Sequence, residues 1–323
     1  MSSAEQVLAL VEAGGAHVPA LMTRLEERLA AVAGSHGALL AEHAGSTIRA
    51  GGKRLRPLLV FLTAGEPAPD HDGVLRAGVA VELIHSATLV HDDVLDAAAL
   101  RRGRPTVVAT AGRAIATATG DLLFSRAFAE LAANGRPDEV RVLSDASSGL
   151  AEGELLQRAD AWNVDVPRER YLHRCDLKTA RLFQAACRLG ALEGGGDAEA
   201  LGQFGRRIGL AFQLLDDVLD VSGPAERTGK HRGTDLLDGT VTLPLILARE
   251  RDPELARLDL RAVRTPTRAE AVCDSIAATG VLEEARTEAL EMVAAAKAEL
   301  PALPEGQRAA LELVADSVAD RYA

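Results

Sequence analysis

The pentapeptide DDVLD occurs twice in the chain, at Asp92–Asp96 and at Asp216–Asp220, each time behind an apolar helix-like run. Charged groups are costly to place against apolar surface unless something compensates them. On a helix, positions i and i+4 share a face and i+1 lies about 100° round it. Asp92 and Asp96 therefore point together with Asp93 beside them, and Asp216, Asp220 and Asp217 repeat the arrangement. Like charges at this spacing repel by about 0.2–0.5 kcal/mol per pair. A solvated helix end accounts for one such motif about as well as a ligand site does; two identical copies point to a shared purpose. Clustered carboxylates suit a hard divalent cation. Mg2+ takes one or two carboxylates, keeps several waters and completes its shell with phosphate oxygens. A phosphate-bearing substrate is thus implied, and two acid clusters acting together can hold several ions over one diphosphate while charge develops on a leaving oxygen.

Cationic groups for the phosphates are present as well. GGKRLRP (51–57) sets Lys53, Arg54 and Arg56 behind a glycine pair at an expected helix start, where free N–H groups also favour anions. RRGRPT (101–106) follows the first acid cluster with Arg101, Arg102 and Arg104, whose planar forks match phosphate oxygens. Lys178 and Thr179 lie in DLKTARLF, and Lys230 lies in the loop after the second cluster. Taken singly, each is better read as a surface charge; the combination is not.

These groups need elements to hold them. Apolar residues recur at spacings of three and four with hardly any sustained alternation, which predicts helix after helix. An aromatic content of 3% in an Ala-rich chain supports the same reading. Breaks are expected at GEPAPDH (65–71), RRGRPT (101–106), ANGRPD (132–137), WNVDVPR (162–168), EGGGDA (193–198), SGPAERTGKHRG (222–233) and LPALPEG (300–306), leaving roughly ten to thirteen helices. No composition shift marks a boundary and the two DDVLD flanks differ, so residues 1–323 read as one all-α domain, a large helical bundle around a central cavity. Hydrophobic residues at 47% and charged residues at 26% describe a globular chain. A net charge of −11 argues against a nucleic-acid binder held by phosphate contacts. Cys175, Cys187 and Cys273 are widely spaced and odd in number, which fits core residues in a reducing compartment better than a disulfide framework. The N-terminus lacks a basic region ahead of an apolar core, and no apolar run of about 18 residues is evident. A cytoplasmic protein without a transmembrane segment is expected.

The order and spacing of GGKRLRP, ELIHSATLVHDDVLD followed by RRGRPT, DLKTA, FQLLDDVLD and GKHRGTDLLDGTVTLPLI, from about residue 50 to residue 247, resemble the trans-polyprenyl diphosphate synthases. The resemblance implies an all-α prenyl-transfer fold, a homodimer, and Mg2+ as cofactor, three ions per active site. By matching position, Asp92, Asp96 and Asp216 are the expected main metal ligands, with Asp93, Asp217 and Asp220 as further or outer acids. Lys53, Arg56, His85 and Arg102 correspond to contacts to isopentenyl diphosphate, and Arg101, Lys178 and Lys230 to contacts to the allylic diphosphate. Thr179 and Gln213 resemble the polar pair that steadies an allylic cation through oxygen dipoles. The implied chemistry is ionisation of the allylic C–O bond, attack by the isopentenyl double bond, and proton loss to a product one isoprene unit longer. Electrostatic preorganisation is then the main catalytic effect. One departure concerns GTVTLP: where the family often has lysine after the glycine, this chain has Thr240, and no phosphate role is carried over there.

A single histidine in an apolar helix is most often a satisfied core residue, yet His85 stands seven residues before Asp92, about two turns away, and matches the family's ligand histidine. Product length in such a fold depends on the pocket below the first acid cluster. Thr88 and Ala87 occupy the positions where short-chain synthases often carry bulky aromatics, and Ile84 and Val81 lie deeper. The upper pocket is therefore expected to be open, favouring geranylgeranyl or longer diphosphates, with Phe124 and Phe128 of GDLLFSRAF (120–128) as candidate floor residues. Other readings are a partner-dependent or non-catalytic subunit of a heteromeric synthase, which would tend to lose its acid motifs, and a terpene cyclase, whose second metal motif normally differs from DDVLD. His91-Asp92 alone suggests a metal phosphohydrolase, and Glu82-x-x-His85 a di-iron bundle lacking its second Glu-x-x-His.

Overall fold

A computed structural model describes residues 3–35, 37–66, 72–101, 103–223 and 231–320, the side chains of Ser3, Ala4, Gln6, Val7 and Leu39 apart. In chain order the helices are α1 (Ser3–Ala13), α2 (His17–Ala33), α3 (Ala38–Arg49), α4 (Leu55–Ala64) and α5 (Gly73–Leu95). A small antiparallel hairpin follows, β1 (Leu100–Arg101) and β2 (Arg104–Pro105). Next come α6 (Val107–Ala132), α7 (Pro137–Asp160), α8 (Arg168–Cys175), a π-helical segment (Asp176–Ala180), α9 (Arg181–Gly194) and α10 (Ala198–Ser222). The remainder is α11 (Thr234–Leu237), α12 (Leu243–Arg251), α13 (Pro253–Ala256), a 3-10 turn (Leu260–Ala262), α14 (Pro266–Ala278), α15 (Val281–Ala298) and α16 (Glu305–Asp320). Helices thus replace one another along the described chain as the apolar spacing predicts. Their number exceeds the expected range because two are single turns and because the π segment divides the helical path from Arg168 to Gly194.

The chain falls into two compact units. The first comprises Met1–Ser147, Leu182–Gly205 and Leu300–Val314. Its centre is α5, packed chiefly against α6 and α4 and also against α2 and α3. This helix is apolar nearly all round, the pattern of a helix enclosed by others. By length and composition it is also the one described helix able to cross a membrane, which corrects the expectation that no such stretch exists; its burial among neighbours is that of a core helix. Leu58, Leu59 and Phe61 of α4, Leu83 and Ile84 of α5, and Leu123 and Leu131 of α6 are fully buried, each contributing about 1.5–3 kcal/mol. Small residues set the spacing: a methyl group at Gly190 would fall 2.2 Å from the Val60 carbonyl oxygen, so α9 and α4 touch there through backbone.

The second unit comprises Ser148–Arg181, Arg206–Glu299 and Ala315–Ala323. Tyr171, Leu214, Leu215, Val241, Leu245, Ile276 and Val281 form its core. Thr265 caps α14, its side chain accepting from the Arg268 N–H, and Pro266 occupies the first turn where no N–H is needed. The three cysteines are buried thiols, as expected of core residues.

Candidate active site

In the first unit, α5 delivers the first acid motif. His85, Thr88, Leu89 and Asp92 are half-buried and Asp96 is exposed, a line of accessible side chains at helical spacing, while Ser86, Ala87, Val90 and Asp93 face inward. Asp96 ends the helix, its N–H donating to the Asp92 carbonyl at 2.8 Å. Carboxylates at a helix C-terminus oppose the macrodipole, so this end of α5 favours a cation. Asp93 is handled differently from its neighbours: it is 6% exposed and accepts from Arg101 Nε at 2.7 Å. Burial raises its pKa, and Arg101 opposes that rise. The hairpin β1–β2, turning at Gly103 with φ 72°, carries Arg101 back onto the helix end. Arg102 lies outside the described residues.

His91 points elsewhere. Its ring stacks on Phe124 with centroids 6.0 Å apart, and its Nε2 is 3.3 Å from Asp121 Oδ1. Gly120 makes room, since a Cβ there would meet the ring at 2.2 Å. A metal-hydrolase role for His91-Asp92 has no support in that arrangement.

GGKRLRP forms the turn into α4. Arg54 adopts the left-handed region (φ 48°, ψ 34°), which costs a non-glycine residue about 1–2 kcal/mol. Four bonds hold it there. Its Nε donates to Glu26 Oε1 at 2.6 Å, Nη1 to Glu82 Oε1 at 2.5 Å, and Nη2 to Glu26 Oε2 at 3.2 Å and to the Ile48 carbonyl at 2.9 Å. Glu82, whose pKa burial raises against the pull of Arg54, is therefore this arginine's partner. That pairing removes the di-iron reading of Glu82-x-x-His85. Lys53 and Arg56 flank the anchored residue, both half-buried, with the Arg56 guanidinium 4.6 Å from the centre of the Phe183 ring.

In the second unit, α10 carries the second motif and divides it the same way. Asp216 is exposed, Asp220 is half-buried, and Asp217 is 4% exposed. Asp220 accepts from the N–H groups of Thr234 and Asp235, both at 3.2 Å, which ties α11 to the motif. Asp217 accepts from the Tyr171 hydroxyl at 2.6 Å and from Gln213 Nε2 at 2.8 Å. Burial and the nearby Asp235 push its pKa up to about 8, against the pull of those two bonds.

DLKTA is the π-helical segment. Single π turns inside α-helical paths re-aim side chains and recur at functional sites. Thr179 donates to Gln213 Oε1 at 2.7 Å. Lys178 pairs with Glu154, which also accepts from Arg158 at 2.8 Å. Burial opposes ionisation of Glu154, yet Lys178 and Arg158 hold its carboxyl below the ordinary range. Asp176 anchors the segment through Arg206 at 2.5 Å and Arg181 at 3.1 Å. Gly153 of α7 lets it approach, since a Cβ there would lie 2.7 Å from the Lys178 backbone nitrogen.

Lys230 lies outside the described residues. Of the proposed length-setting residues, Val81, Ile84 and Ala87 are fully enclosed within helix packing. Thr88 is half-buried with its hydroxyl on the His85 carbonyl at 2.8 Å, and Phe124 and Phe128 are half-buried on α6. An open pocket of 510 Å³ lined by Trp162, Leu237, Arg261, Val263, Arg264 and Pro266 contains none of the predicted residues. Sequence reading missed Glu26, Glu154 and Tyr171 as partners, and Gly120 and Gly153 as spacers.

The donor set fits Mg2+. Each motif presents a pair of hard carboxylates on an accessible helix face. An ion that takes few protein carboxylates and relies on water and phosphate oxygens suits such pairs.

Helical architecture, paired acid motifs and an anchored basic turn define a class of enzyme acting on diphosphates, and comparison with known proteins agrees. The polyprenyl synthetase family matches residues 38–279, and the chain belongs to that family. It is therefore a prenyltransferase of the all-α isoprenoid synthase fold. Heptaprenyl diphosphate synthase component 2 of Geobacillus stearothermophilus is 42% identical over 230 residues, covering 70% of this chain and 72% of that protein. Geranylgeranyl diphosphate synthase of Methanosarcina mazei is 38% identical over 267 residues, covering 79% and 81%. The polyprenyl synthase of Caulobacter crescentus CB15, solved with calcium and isoprenyl diphosphate, superposes with a TM-score of 0.89 at 36% identity over 99% of this chain and 98% of that one.

Proposed function

We propose that the protein condenses isopentenyl diphosphate with an allylic diphosphate by ionisation, condensation and elimination, releasing a linear all-trans polyprenyl diphosphate of geranylgeranyl length or longer. The observation that carries this reading is the matching division of the two DDVLD motifs. In each, the first and last carboxylates are accessible and the middle one is buried on protein donors. Asp92, Asp96, Asp216 and Asp220 would hold Mg2+, with Asp93 and Asp217 behind them. Bound Mg2+ would supply positive charge to the departing diphosphate.

The chain's own residues do the rest. Arg101 and Lys178, each already beside a carboxylate that it can leave for a phosphate, orient the allylic diphosphate. Lys53, Arg56 and His85 hold isopentenyl diphosphate. Thr179 and Gln213 direct oxygen dipoles at the developing cation, and departed diphosphate takes the proton. Arg102 and Lys230 join the phosphate contacts by motif position. Residues 1–323 act as one catalytic domain, in a cytoplasmic homodimer. Length beyond fifteen carbons rests on the absence of aromatics at Ala87 and Thr88.

The test is turnover of isopentenyl diphosphate as a function of Mg2+. Asp92→Asn and Asp216→Asn are each expected to lower activity by at least about 100-fold and to raise the Mg2+ requirement. Retention of activity and metal response in either variant would remove that motif from the chemistry. A partner-dependent subunit is the second reading, suggested by the relative named as a component 2. Intact fold with activity only after addition of a second subunit would select it.

A further inference from the structure

The second acid motif contains a group whose hydrogen bonds have a direction. Asp217, on α10, is buried with its two oxygens separately engaged: Oδ2 by the Tyr171 hydroxyl at 2.6 Å and Oδ1 by Gln213 Nε2 at 2.8 Å. Both bonds are donated to it, so Asp217 acts here as a carboxylate, which only accepts. The amide NH2 of Gln213 therefore faces Asp217, and its carbonyl Oε1 faces Thr179 at 2.7 Å. That carbonyl also only accepts, so Thr179 must donate its single hydroxyl hydrogen to it. The lone pairs of Thr179 Oγ1 are then the part of the hydroxyl left to face anything else. All four side chains are held by α8, the π segment and α10 of one unit.

We infer that Asp217 is a positioning residue that sets the polarity of the Gln213–Thr179 pair, presenting Thr179 as an acceptor dipole to a cation, and that it is not a metal ligand. This rests on the reading that Thr179 faces a developing allylic cation. Asp217→Asn keeps the shape and offers Nδ2 to Gln213, whose amide then turns over and donates to Thr179. The Thr179 hydroxyl hydrogen is released from Gln213 and points toward the cation, where it repels. A fixed dipole of this kind is worth about 100-fold in rate.

The test is a cycle of Asp217→Asn and Thr179→Val in the full-length protein, measured for kcat, KM of both substrates, and Mg2+ binding by calorimetry with inorganic diphosphate present. The expected result is a kcat lower by about 100-fold in Asp217→Asn, KM values within about twofold, unchanged Mg2+ binding, and no further loss when Thr179→Val is added. Weakened Mg2+ binding, as expected for Asp216→Asn, or additive losses with Thr179→Val, would overturn the assignment. Where Asp217→Asn does not fold, Gln213→Leu replaces it, since it removes the acceptor that fixes the Thr179 hydroxyl hydrogen, and its loss in kcat is judged by the same criteria. Failure of the prenyl-transfer reading is distinguishable, because the wild-type protein would then form no product.

Discussion

Gly153→Ala tests how closely the π segment is seated. A Cβ at Gly153 would lie 2.7 Å from the backbone nitrogen of Lys178 and 3.0 Å from both Lys178 Cα and Leu177 Cβ. Ordinary contact begins near 3.4 Å, so backbone carrying Lys178 must withdraw by about 0.7 Å. Overpacking of this kind costs about 1–3 kcal/mol, offset by about 0.5–1 kcal/mol because alanine suits a helix interior better than glycine. The expected net loss of stability is about 0.5–2 kcal/mol. The effect on chemistry should be larger, since a misplacement of about 1 Å can cost 10²-fold in rate; a drop in kcat of about 10- to 100-fold follows for Lys178 and Thr179. One turn earlier, Gly149 has only side-chain neighbours, Arg181 Cγ at 3.4 Å and Leu177 Cδ2 at 3.5 Å, and serves as the control. Gly149→Ala is expected to gain about 0.4–1 kcal/mol and to keep its activity. The assay pairs kcat at saturating substrates with denaturant unfolding. Wild-type turnover in Gly153→Ala, or an equal loss in Gly149→Ala, would refute the proposed seating.

Three further outcomes are expected. Arg54→Met leaves Glu82 buried without its cation and should cost about 3–5 kcal/mol by denaturant unfolding, much of it recovered in Arg54→Met/Glu82→Leu; a fully stable single variant would contradict the pairing. Glu139 is buried beside Glu193, with Asn134 donating to its Oε2 at 2.9 Å and the Arg136 guanidinium forming an ion pair with its Oε1 at 3.5 Å, and burial with the shared acid pair raises its pKa from 4.5 to about 8. The folded state therefore binds a proton that the unfolded state has lost, and this contribution, complete below pH 4.5, disappears as pH rises through about 8. Thermal melts should show stability falling across that window, with the slope reduced in Glu139→Gln; an unchanged slope would exclude the pair. Phe128→Ala should lengthen the product distribution measured by mass spectrometry, and an unaltered distribution from folded protein would remove Phe128 from the pocket floor.

Helices and their breaks were legible because apolar periodicity and Gly/Pro punctuation are local. The breaks at 101–106, 132–137, 162–168, 193–198 and 300–306 fall where one described helix has ended and the next has not begun, or within the ends of those helices, whereas those at 65–71 and 222–233 lie mostly outside the described residues. The acid motifs were legible for the same reason: i and i+4 on one face is a helix property. What the motifs concealed was the different fate of adjacent aspartates. Asp93 and Asp217 are bound by Arg101 and Tyr171, partners brought by other segments, and Asp217 also by Gln213 one turn earlier on α10. Arg54 looked like a third phosphate cation beside Lys53 and Arg56, yet it is the residue that pins their turn, through Glu26 and Glu82 contributed by α2 and α5. The π turn at DLKTA was likewise hidden, since no periodic pattern marks it and the segment it packs against, at Gly153, lies more than twenty residues earlier.

The most direct test of prenyl transfer uses the isolated protein with Mg2+, isopentenyl diphosphate and, in turn, dimethylallyl, geranyl, farnesyl and geranylgeranyl diphosphates, followed by product mass. The expected result is a series of linear diphosphates extended by whole isoprene units and ending at geranylgeranyl length or beyond. Recovery of every primer unchanged from folded, Mg2+-supplied protein would contradict catalysis by this chain alone.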